Sequence, residues 1–134
     1  MKKTILLFTV FSIFIFSCSE DENLNKNFIN PPNWILGTWM DNSSRGSWGF
    51  QFTIDNLILI TSDGSIFLNL KEGLQNAIDV GSMSTNEVIT NNIYELEIIS
   101  NGNVNLSYKF IRGSDDKNII HKSSTTDNII LTKQ

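Results

Sequence analysis

Two runs of strict alternation meeting at an Asn-Gly pair constrain this chain most. Tyr94, Leu96 and Ile98 alternate with Glu95 and Glu97, and Val104, Leu106, Tyr108 and Phe110 alternate with Asn105, Ser107 and Lys109. Successive side chains of a strand point to opposite faces, so this period of two reads as two half-buried strands rather than a helix. Asn101-Gly102 between them supplies the positive φ angles that a tight turn needs, and the whole reads as an antiparallel hairpin with one wet and one dry face. Lys109 and the glutamates Glu95 and Glu97 share the wet face, where cross-strand pairing contributes roughly 0.2–1 kcal/mol.

The same pattern recurs upstream. Trp48, Phe50, Phe52 and Ile54 alternate with Gly49, Gln51 and Thr53, followed by a turn at Asp55-Asn56 and a strand over Leu57 to Thr61. Ser62-Asp63-Gly64 then closes a hairpin onto Ser65 to Leu70. Lys71 to Gln75 reads as a loop or a single helical turn, and Ala77 to Met83 and Glu87 to Thr90 as short strands. Gly113 to Lys117 is a polar turn, Asn118 to Lys122 a strand, Ser123 to Asn128 a loop and Ile129 to Thr132 the last strand. About eight short strands with frequent turns predict an all-β fold, a small antiparallel up-and-down barrel that leaves no sheet edges; a β-sandwich is the alternative.

The N-terminus reads as export and tether. Met1-Lys2-Lys3 is positive, Thr4 to Phe16 is almost unbroken apolar sequence, and Ser17 precedes Cys18, the only cysteine. The run is too short to remain as a membrane span, so residues 1–17 are expected to be a cleaved signal peptide. Ile15-Phe16-Ser17-Cys18 resembles a bacterial lipobox, which implies diacylglycerol and palmitate on Cys18 and anchoring to the outer membrane; a free thiol or an intermolecular disulfide is the other reading. Ser19-Glu20-Asp21-Glu22 is similar to the acidic export tag of Bacteroidota-type surface lipoproteins, which implies exposure on the cell surface, whereas the plain reading is a solvated spacer. Asn-rich sequence carries this linker through 18–33, and the domain is expected over 34–134.

At its start stands Trp34-Ile35-Leu36-Gly37-Thr38-Trp39, with Pro31 and Pro32 blocking a helix from running into it. Gly37 permits close backbone approach, and Trp39, two residues on, shares its strand face. This Gly-x-Trp opening resembles that of lipocalins and of lipocalin-like domains of bacterial lipoproteins. The resemblance implies a tryptophan packed across the closed end of a barrel and an interior able to hold a small apolar or amphipathic ligand. In lipocalins an arginine near the last strand lies over that tryptophan; Ile129 to Gln134 offers only Lys133. Otherwise Trp39 is a core aromatic of another antiparallel fold.

Chemistry-bearing constellations are sparse. The formal net charge is −4, and removal of Lys2 and Lys3 makes the mature chain more acidic. Without a basic cluster it is not expected to bind nucleic acid. One histidine, His121, and no cysteine beyond Cys18 argue against a metal site, and no cofactor is expected. His121 is expected at the rim of its strand. Ser43-Ser44, Ser123-Ser124 and Thr125-Thr126 lack a nucleophile elbow, and Asp115-Asp116 and Asp63-Gly64 lack calcium-loop spacing. The chain is therefore read as a non-enzymatic monomer. Trp34, Trp48 and Tyr94 are the candidate ligand-binding aromatics, with the interior as the pocket. As a filled module, it would instead use loops such as Asp41 to Ser47, carrying Asn42, Ser43, Ser44 and Arg45, to bind a surface protein or glycan.

Overall fold

The computed structural model describes residues 28–43, 47–123 and 128–134. Residues 1–17, Cys18, the acidic cluster, Ser44, Arg45 and Ser124 to Thr126 lie outside the described residues. Among the described residues nine strands follow one another: β1 Gly37–Asp41, β2 Trp48–Thr53, β3 Asn56–Thr61, β4 Ile66–Asn69, then, after helix α1 Leu70–Asp79, β5 Met83–Ile89, β6 Ile93–Ser100, β7 Asn103–Arg112, β8 Asn118–Lys122 and β9 Asn128–Lys133. They form one antiparallel sheet in the order β4-β3-β2-β1-β9-β8-β7-β6-β5. Every strand thus pairs with its chain neighbour except β4 and β5, and the first strand pairs with the last, Trp39 opposite Lys133. The result is an all-β, up-and-down sheet curled into a half-barrel. Its gap is spanned by α1, which touches both β4 and β5. A single continuous sheet excludes the sandwich.

The hairpin over 94–110 has the expected register, with Tyr94 opposite Phe110, Leu96 opposite Tyr108 and Ile98 opposite Leu106. Asn101 and Gly102 carry φ angles of 50° and 76°, as a two-residue hairpin turn demands. On the wet face Lys109 Nζ donates to Glu95 at 2.8 Å.

Four expectations are corrected. Ala77 to Met83 is not a strand: residues through Asp79 belong to α1, and the following strand starts at Met83. The Asn69 side chain accepts from the Glu72 backbone N–H while its amide donates to the Glu72 carboxylate, a reciprocal cap on the first turn. At the other end Gly81, at φ 72°, allows its N–H to bond Ile78 O and that of Ser82 to bond Ala77 O, a Schellman closure. Ile54 falls in the β2–β3 turn and is 73 % exposed, because the strand ends at Thr53. Val104 and Leu106 alternate correctly but are exposed, since β8 pairs β7 only over Lys109 to Arg112 and leaves the hairpin tip projecting. Finally, burial begins before residue 34: Ile29 is fully buried in the core with Ile35, and Pro31 is buried too.

Phe28 to Leu36 forms a strap along the outer edge of β5. Thr85 Oγ1 donates to Phe28 O at 2.5 Å, the Asn30 backbone N–H and side-chain amide both donate to Glu87, and Trp34 Nε1 donates to Thr90 O. The strap therefore climbs parallel to β5 and covers an edge that would otherwise be free.

Candidate functional site

The strand register defines two ends. One is framed by the Asn33–Ile35 3-10 turn, the start of β1, and the turns at Ile54-Asp55, Asn91-Asn92 and Gly113 to Lys117; the other by the ends of β1 and α1 and the hairpin turns at Ser62 to Ser65 and Asn101-Gly102. At the first end Trp39 is buried, and its indole N–H donates to Ile35 O at 2.6 Å. Lys133 Nζ lies 5.1 Å from the centre of the Trp39 ring. Gly37, at φ +118°, passes beneath this lysine, whose Cε would stand 3.2 Å from any Cβ added there. Trp34 lies beside them under the Arg112 guanidinium, at 5.9 Å, and Arg112 is itself held by Asp116 at 2.6 Å. Two tryptophans, each faced by a cation, close this end.

Between the ends the interior is filled by rings. Phe50 packs edge-on against Phe110 at 5.0 Å and Tyr108 at 6.0 Å, Phe52 against Phe110 at 5.0 Å, and Tyr94 stacks on Phe110 at 6.3 Å. His121 belongs to this cluster, 4.9 Å from Phe50 and 5.1 Å from Phe110, and is 8 % exposed. It is not a rim residue, because in β8 it shares the inward face with Ile119. Its Nδ1 is buried with no hydrogen-bond partner among the described residues. Burial accordingly pulls its pKa down to about 4, so the imidazole is neutral at pH 7.

The candidate aromatics do not converge. Tyr94 is wholly buried, and its hydroxyl donates to Glu87 at 2.7 Å; burial, and then this hydrogen bond to a carboxylate, raise the phenol's pKa. Trp34 is at the closed end. Trp48 is half-buried at the other end, where β2 begins opposite Thr61, edge-on to Phe50 at 5.3 Å and 6.1 Å from His121.

Space is found instead where none of these three stands. A cleft of about 260 Å³ opens between α1, β4 and the lower parts of β5 to β7, lined by Leu68, Leu70, Leu74, Met83, Ile98 and Leu106, with Gly73 and Asn105 at its margin. It exists because α1, rather than a strand, bridges the gap in the sheet: a helix stands farther from its neighbours than the roughly 4.8 Å of paired strands. Leu70 and Leu74, one helical turn apart, point to the same side of α1. The cleft is almost entirely apolar, so it can hold a hydrocarbon chain or small ring system through burial and has little to orient a polar one. Of its lining, Ile98 and Leu106 were legible as the dry face of the 94–110 hairpin, whereas Leu74 fell in a stretch read as a loop or helical turn; the cleft depended on the helix, whose capping pattern Asn69-x-x-Glu72 was the available signal. Among the described residues no three His, Cys, Asp or Glu side chains gather as metal ligands, and no helix is long and apolar enough to cross a membrane. Compared with known proteins, the chain matches no family model, no curated protein and no solved structure.

Proposed function

We propose that this chain is a lipid-anchored outer-membrane lipoprotein, exposed at the cell surface, whose lipocalin-like domain binds a small apolar or amphipathic molecule at the cleft beside α1. The observation that carries this reading is the cleft itself, apolar on nearly every side and set against a ring-filled half-barrel with Trp39 buried at one end. Lys133 over Trp39 supports the lipocalin-like reading, because a cation from the last strand lies where the resemblance expects an arginine. The anchor rests on the lipobox-like Ile15 to Cys18. At about 260 Å³ the cleft is just below the roughly 300–1,000 Å³ of small-molecule pockets, which suits one short hydrocarbon segment better than a multi-ring ligand. No catalytic role is proposed.

A fluorescent fatty acid titrated into the chain from Cys18 onward, with Cys18→Ser to remove the acyl groups, tests this function. Saturable binding that octanoate displaces is expected, and Leu74→Glu with Leu106→Glu should weaken it at least tenfold by placing carboxylates in an apolar site. Absence of saturable binding in the parent chain would overturn the carrier reading. The ring-filled interior then favours the second reading, a surface module that binds a protein or glycan through its loops; reproducible cross-linking to one surface partner would support it.

A further inference from the structure

The geometry points to an orientation: the open end of the half-barrel, opposite Trp39, where the Met83, Ile98 and Leu106 side of the cleft lies, sits on the lipid surface that anchors the chain, and the occupant of that apolar face is the bilayer. This rests on the lipidation of Cys18 proposed above. Its first ground is where the tether begins. Phe28 is bonded to Thr85, and the strap climbs from there past Glu87 to Thr90 at the closed end. Phe28, the first described residue, therefore stands beside the Met83 end of β5, its partner Thr85 lying two residues from Met83 of the cleft lining, and the distance to Cys18 is counted from there. Nine residues, 19–27, separate Phe28 from Cys18. Fully extended, ten steps reach about 35 Å, and strands of six residues stand roughly 20 Å tall. Setting the closed end on the membrane would require the tether to run back over most of the barrel's height, whereas setting the open end there requires no reversal.

The second ground is independent of the tether. Large apolar side chains stand exposed in greater number around this same end: Ile66 (63 %) and Phe67 (77 %) at the start of β4, Val80 (78 %) after α1, and Val104 (52 %) and Leu106 (40 %) on the projecting hairpin, against Ile54, Val88 and Ile89 at the closed end. They come from three separate elements that the register brings to one end, Ile66 following the β3–β4 turn and Val104 following the β6–β7 turn. Such a rim is unfavourable in water and favourable at the boundary between headgroups and acyl chains. Asp63 and Asp79 on the neighbouring turn and helix end offer nothing to anionic headgroups, so on a zwitterionic surface the contact is carried by the apolar side chains and its strength should not depend on salt. In this pose the Met83 and Leu106 side of the cleft lies nearest the acyl layer, which makes membrane lipid the immediate source of its ligand.

The test uses the full chain, processed and acylated in its native envelope and reconstituted into phosphatidylcholine vesicles. Since acylation consumes the only thiol, a single introduced cysteine carries an environment-sensitive fluorophore, at Phe67→Cys or Val104→Cys on the open end or at Ile54→Cys on the turn at the closed end. All three positions are more than half exposed, so labelling leaves the core intact. The expected result is at least twofold brighter, blue-shifted emission at positions 67 and 104 and quenching there by nitroxide-bearing lipid, unchanged by 0.5 M salt as an order-of-magnitude challenge, with position 54 unaffected. Equal quenching at both ends, or quenching at 54 alone, would overturn the orientation while leaving the anchor intact. An intact mass without acyl groups on Cys18 would overturn the anchor and the orientation with it.

Discussion

Gly49 shows how one missing atom can fix a strand pair. It lies opposite Met40 and Ile60, and a Cβ built on it would collide with the Trp39 carbonyl oxygen and stand 2.6 Å from Met40 Sδ. Backbone cannot give way as a side chain tip can, so Gly49→Ala is expected to destabilise the fold by about 1–3 kcal/mol, read from the midpoint of urea unfolding. The cation over Trp39 is a smaller matter: Lys133→Met retains the packing of the aliphatic stem and should lose about 0.5–1 kcal/mol in the same measurement. His121 makes stability depend on pH. Its folded pKa of about 4 lies below the ordinary 6.5, so the unfolded chain binds the extra proton between these values. Stability is therefore full above pH 6.5 and falls as pH drops toward 4, by about 3 kcal/mol in all. His121→Phe should abolish that slope. Asp63, held down to about 2 chiefly by the Thr61 hydroxyl, titrates below this window. Nothing in the alternation of β8 distinguished His121 from an exposed polar residue except parity with Ile119, which was the one usable signal.

At the scale of elements, the strap and the helix do what strands do elsewhere in the sheet. Glu87 accepts from the Asn30 backbone and side chain and from Tyr94, so one carboxylate joins strap, edge strand and core. Glu87→Ala is expected to release Phe28 to Pro32, raising their hydrogen-exchange rates at least tenfold while β1 to β3 remain protected, because the lost bonds are local to the edge. For α1, Asn69→Ala removes the oxygen that receives the Glu72 N–H and the Asn56 side-chain amide. A loss of about 1 kcal/mol is expected, accompanied by weaker fatty-acid binding as the first turn loosens beside the cleft. The strands were legible because their alternation is local. The helix was harder to see, because Gly73 interrupts its apolar stripe at Leu70, Leu74, Ala77 and Ile78 and because the β-branched residues beyond it mimic a strand.

Across the whole molecule, a meander whose first and last strands pair leaves its single gap between β4 and β5, and one helix placed there produces the cleft. Alternation and turn residues determined, from sequence alone, that the chain folds as an antiparallel up-and-down sheet, and they located most of its hairpins, because each depends on neighbours a few residues apart. The Gly37-x-Trp39 opening likewise marked where the sheet begins. Only the tertiary structure decided which apolar faces become core. Val104 and Leu106 obey the same alternation as Phe110 yet remain exposed, and Ile29, in sequence that reads as linker, is fully buried. Burial is set by which strands lie alongside, and pairings such as Trp39 with Lys133 join residues almost a hundred positions apart, a separation over which side-chain periodicity carries no information.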